Sequence, residues 1–90
     1  MPYSNEEMKS DSGRVLRALV QGDFRITKHA AIRMRERKVK TDDIISVGRT
    51  CVSIYVDKTS VFTVKGFDLD SDELTVIAGF DGETVIITLF

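Results

Sequence analysis

The chain has no tryptophan, one histidine, one cysteine and one proline in 90 residues. Each scarcity closes off a class of protein. A lone thiol, Cys51, cannot form an internal disulfide, so no disulfide framework holds this fold. One histidine and one cysteine are too few for a structural zinc site, and nothing in the sequence asks for a metal or a cofactor. The acidic stretch Asp68, Asp70, Asp72, Glu73 looks superficially like a calcium loop, but it lacks the required glycine and terminal glutamate. No apolar run approaches the ~18 residues that would span a bilayer, so no membrane partner is expected. The opening MPYSNEEMKS is polar and acidic, unlike a signal peptide. Together these features lead us to expect a soluble protein of a reducing compartment, the cytoplasm.

What is present is ordinary in amount and uneven in placement. The hydrophobic fraction is 42% and the charged fraction 30%, enough for one domain with a modest core. The formal net charge is −1. Residues 25–40 nevertheless carry seven cations against one acid, a local +6 that leaves −7 elsewhere. A nucleic-acid binder is usually basic overall, which argues against one here. The cluster argues the other way, because screening confines a charge's influence to about 8 Å.

The apolar pattern changes period partway along. Residues 1–10 show none and read as a flexible tail ahead of a single domain, 11–90. Val15, Leu16, Leu19 and Val20 fall at helical spacing, and Gly22 suits the position just past a helix end. Phe24 and Ile26 sit in a short extended link. Thr27 is placed as the N-cap of a helix over 28–38. Thr41 is expected to cap a third helix, with Asp42 and Asp43 in its first turn and Gly48 at its end. After Gly48 the period becomes two, giving strands over 51–56, 60–67, 73–80 and 83–90. Residues 57–59 form a turn. Asp81-Gly82 predicts a tight type I′ hairpin. The fold class is α+β: N-terminal helices packed on a four-stranded antiparallel meander. Leu16, Leu19, Met34, Ile44, Val76, Val85 and Ile87 are the expected core.

The chemistry concentrates on the central helix. At 3.6 residues per turn, His29, Arg33 and Arg37 share one stripe, with Glu36 beside it. An imidazole can give and take a proton near neutrality, and guanidiniums bind phosphate as a fork. RNA carries its own nucleophile in the 2′-hydroxyl, so such groups suffice to cleave it. The same pattern also describes a solvated helix face with Glu36 paired to Arg33 or Lys40. Likewise the cations Arg25, Lys28, Arg35, Lys38 and Lys40 suit a phosphate backbone or plain solvent. Thr88 on the last strand offers a hydroxyl, though β-branching alone would place it there. Cys51 reads as a small apolar residue, and Tyr55 as a half-exposed one able to stack a base.

The order of these motifs resembles a bacterial family, domain of unknown function 4258. ITKHAAIRMRERKVKTDDI (26–44), KGFDLDSDELTVIAGF (65–80) and VIITLF (85–90) carry the resemblance. Its most specific piece is H-A-x-x-R-M-x-E-R, matched by His29, Ala30, Arg33, Met34, Glu36 and Arg37. The ending Ile87, Thr88, Leu89 matches too. That family looks related to the barnase/EndoU/colicin/RelE group of toxin-like folds, many of them metal-independent ribonucleases. The resemblance implies His29, Arg33 and Thr88 as catalytic positions. Arg37, Lys28 and Arg25 would contact substrate, and RNA and a cognate antitoxin would be the partners. The alternative is a non-catalytic module that uses the same scaffold for self-association or partner binding.

Overall fold

The computed structural model describes residues 11–58 and 60–90. The expected tail, residues 1–10, lies outside them, as does Thr59 of the expected turn. The elements run α1 (Asp11–Gln21), β1 (Arg25–Ile26), α2 (Lys28–Arg37), α3 (Thr41–Arg49), β2 (Ser53–Lys58), β3 (Val61–Phe67), β4 (Glu73–Phe80) and β5 (Thr84–Leu89). The class is α+β, as the change of period predicts. The sheet differs in one respect: among the described residues it has five strands, in the order β1-β5-β4-β3-β2. The extra strand is the expected link, Arg25–Ile26, which pairs parallel to β5 opposite Val85 and Ile86. Two residues are too short to show a period, so this strand exists only through its partner.

Alternation along the strands sorts their side chains between two faces. Phe62 and Val64, Leu74, Val76 and Ala78, and Ile86 and Leu89 point to the helix side and are buried. They join Val15, Leu19, Ala30, Met34, Ile44 and Val47 from the helices α1, α2 and α3 in one core. Two glycines set the spacing of these layers. A Cβ on Gly48 would come within 2.8 Å of the Leu19 Cβ, and one on Gly66 within 2.6 Å of the Val47 carbonyl oxygen. Gly48 therefore does not end α3. It lies inside the helix, where the crossing with α1 leaves no room for a side chain.

Other boundaries also moved. Lys40, not Thr41, is the N-cap of α3, and the Asp43 carboxylate accepts from its backbone N–H at 2.9 Å. The other Asp43 oxygen accepts from Leu69 N–H at 3.0 Å, so this buried carboxylate ties the helix start to the loop after β3. In that loop the Asp68 carboxylate accepts from the backbone N–H groups of Asp70 and Asp72. The acidic stretch is thus a side-chain-closed turn. Asp57 and Lys58, expected in a turn, extend β2. The β4–β5 connection has three residues between Phe80 and Thr84, with positive φ at Gly82 alone, so no type I′ turn forms.

The largest correction concerns β5. Val85 and Ile87 are only half-buried, while Ile86 and Leu89 are fully buried. Ala78 pairs with Ile86 and Ile77 with Thr88, so Ile87 is an extra residue, a β-bulge. The bulge shifts the phase of the alternation. Ile87 lies on the face away from the helices, where its Cδ1 approaches Gly79. Period-two reading across such a residue assigns the wrong face to part of the strand.

Candidate functional site

β5 is flanked by β4 on one side, and its other edge is closed in two stages. Its first half pairs with β1. Where β1 ends, Thr27 takes over. Its N–H donates to the Ile86 carbonyl at 3.1 Å, and its hydroxyl lies 2.9 Å from that oxygen and 3.1 Å from the Ile87 carbonyl oxygen. The same hydroxyl accepts from Ala30 N–H at 3.1 Å, making Thr27 the N-cap of α2. One side chain therefore starts the helix and satisfies the bulged strand. Nearly two helix turns onward, Arg33 Nε donates to the Leu89 carbonyl at 3.3 Å. An unpaired strand edge is a liability, and here helix side chains cover it.

This closure fixes how α2 is rotated. Ala30 and Met34 are buried and define its inward direction. At 100° per residue, Arg33 lies about 80° from that direction and His29 about 120°. Arg33 therefore sits at the strand edge, and its side chain is 35% exposed. His29 lies beyond it and is exposed, with no hydrogen bond or ion pair among the described residues. Arg37 continues the stripe, also exposed. Glu36 approaches Arg33 at 3.8 Å, the pairing anticipated for a solvated face. Helix α2 ends on Lys38 in the left-handed conformation (φ 57°), and Val39 N–H reaches back to the Met34 carbonyl.

Thr88 neighbours the carbonyl that Arg33 holds. It pairs with Ile77, which alternates between the buried Val76 and Ala78, so Thr88 faces away from the core. Arg33 and the backbone of residues 87–89 thus meet at one seam, with His29 one turn earlier on the same flank of α2. The Thr88 hydroxyl makes no hydrogen bond to either His29 or Arg33 among the described residues. Lys28 is exposed at the start of α2. Arg25 is not part of the seam: it lies toward the other end of β5 and pairs with Glu83 at 3.5 Å. Residue types alone missed the double role of Thr27. A threonine that caps a helix straight after a strand-like dipeptide is the only trace of it in the sequence.

Beyond the seam, the sheet face turned from the helices carries Thr75, Ile77, Val85 and Ile87. It also carries Tyr55, whose ring lies 5.9 Å from the Lys65 ammonium. Cys51, before β2, is half-buried, and burial pushes its thiol pKa up. Among the described residues no group of three or more His, Cys, Asp or Glu gathers as a metal site, and no helix is long and apolar enough to cross a membrane.

An α+β domain with a mixed sheet, whose last strand is bulged and capped along its free half by a helix-borne arginine, is what the fold and seam define. Residues 26–90 match the family model Domain of unknown function (DUF4258), and the chain belongs to that family. The matched segment begins at the second residue of β1 and contains the whole seam; α1 precedes it. No curated protein and no solved structure matches the chain.

Proposed function

We propose that this domain binds RNA along the seam between α2 and the end of β5 and cleaves it without a metal. The observation that carries the reading is the pairing of a fixed arginine with a free imidazole. Arg33 is held by the Leu89 carbonyl, while His29, one turn earlier on the same flank, is exposed and unpartnered. A guanidinium anchored through Nε turns its terminal nitrogens outward, and the loose, exposed Glu36 contact on one of them at 3.8 Å exchanges readily for a phosphate. In the reaction the RNA 2′-oxygen attacks the adjacent phosphorus and the 5′-oxygen leaves. His29 takes the 2′-hydroxyl proton or supplies one to the leaving oxygen. Arg33 stabilises charge on the phosphoryl oxygens. Thr88 and Arg37 flank the path of the strand, and Lys28 adds a phosphate contact. This reading agrees with a place for the family in the barnase/EndoU/colicin/RelE group. A basic seam on an overall acidic chain also suits an antitoxin partner that covers it.

Incubation of labelled RNA with the pure protein in EDTA, with and without ribosomes, tests the proposal. The expected product carries a 2′,3′-cyclic phosphate. Intact RNA under every condition would leave binding alone, or neither.

One observation favours a second reading, an interaction module. Strand β2 forms an edge of the sheet, and Val52, Tyr55 and Val56 beside or within it are 67%, 46% and 54% exposed. A bare apolar edge is a template for a second copy. Sedimentation across a concentration series distinguishes the two: a monomer at all concentrations removes self-association.

A further inference from the structure

At the opposite end of β5 from the end of the seam lies an open cleft of about 840 Å³, bounded by α1, the approach to β1 and the β4–β5 turn. We propose that this cleft binds a phosphate monoester, either a free nucleotide or the 5′-phosphate of an RNA strand. It is independent of the cleavage proposed for His29.

Three guanidiniums line the cleft, Arg14 and Arg17 from α1 and Arg25 from β1. Two of them come from a helix that precedes the family segment. Arg17 is exposed and has no hydrogen bond or ion pair among the described residues. Arg14 lies over the Phe80 ring at 5.8 Å, and both residues line the cleft.

The second observation is Thr84. It is 3% exposed, it lines the cleft, and its hydroxyl has no partner among the described residues. Thr84 pairs with Phe80 across the β4–β5 turn, which puts it beside the ring that Arg14 covers. A hydroxyl at the wall of the cleft can donate to an acceptor bound there in place of water. Phosphate oxygens accept from both hydroxyl and guanidinium donors, and a monoester supplies two negative charges.

Two carboxylates, Asp23 and Glu83, also line the cleft. Glu83 pairs with Arg25 at 3.5 Å and Asp11 with Arg14 at 3.5 Å, all four side chains about half or more exposed. Exposed pairs of this kind are worth little and exchange readily for a dianion. The cleft volume falls within the roughly 300–1,000 Å³ usual for small-ligand sites.

Calorimetric titration of the full chain with adenosine monophosphate, and with a short RNA carrying either a 5′-phosphate or a 5′-hydroxyl, tests this. Saturable binding is expected for the nucleotide, the 5′-phosphorylated RNA or both, and which of them binds identifies the source. Arg17→Ala should weaken it about tenfold, the scale of a charged hydrogen bond. Thr84→Val, which keeps the branched shape, should weaken it about threefold. Arg35→Ala, a cation on α2, should leave it within about twofold. Absence of saturable binding overturns the proposal. So does equal binding of both RNA ends by a chain that does not bind the nucleotide, or an Arg35→Ala loss equal to that of Arg17→Ala.

Discussion

The two edges of the sheet are treated differently. At β5 the outward carbonyls of Ile86, Ile87 and Leu89 are all taken, by Thr27 and by Arg33. At β2 the edge is bare among the described residues, and Val52 and Val56 are exposed. The closed edge uses polar side chains of a helix for a structural purpose and thereby holds an arginine in place. A positioned cation beside a free histidine follows from sealing the sheet, before any ligand is considered. The bare edge positions nothing, and its residues are expected to tolerate change.

Stability measurements on the closed side should show the largest effects. Ile86→Ala should cost about 2–5 kcal/mol, because the side chain is fully buried beneath the helices. Ile87→Ala, one residue on but across the bulge, should cost well under half of that. Urea titrations of both variants check it, and equal losses would mean that the bulge does not set the faces. Thr27→Val removes the helix cap and a donor to the strand edge together, and should cost about 1–2 kcal/mol. Val56→Thr on the bare edge should stay within about 0.5 kcal/mol.

The residues legible in the sequence were those whose role is local. Thr27 as a cap, Gly22 as a helix end and the Ala30–Met34 face all follow from helical spacing, and each is found as expected. What the sequence hid depends on distant partners. Arg25–Ile26 is a strand only because β5 lies beside it, some sixty residues away. Gly48 reads as a helix end until α1 crosses over it. The bulge at Ile87 is invisible to a period of two, which placed Val85 and Ile87 in the core. Of the candidate site, the His29–Arg33–Arg37 stripe was legible as spacing. The carbonyl that fixes Arg33 is not, and neither is the place of Arg25, a candidate substrate contact that pairs with Glu83 toward the other end of β5.

A smaller effect concerns Cys51, at the start of the bare-edge segment. Burial raises its pKa above the ordinary thiol value of 9.0, so the folded protein holds less thiolate near neutrality than the unfolded chain. Alkylation at pH 8 should therefore be slower in the native state than in urea. The linked stability is fully present below the unfolded thiol pKa and is lost as pH rises through the folded one. Equal alkylation rates in the two states would show the thiol to be as accessible as in the open chain.

The central claim is that His29 and the anchored Arg33 form a reactive pair, distinct from the general positive charge of α2. The most direct test compares RNA cleavage in EDTA by the wild type, His29→Ala and Arg35→Ala, the last removing an exposed cation from a different side of the same helix. The account predicts that His29→Ala loses at least about a hundredfold in rate with its melting temperature unchanged. Arg35→Ala should lose only a few-fold. Equal losses in both variants, or a wild type that leaves every RNA intact, would contradict it.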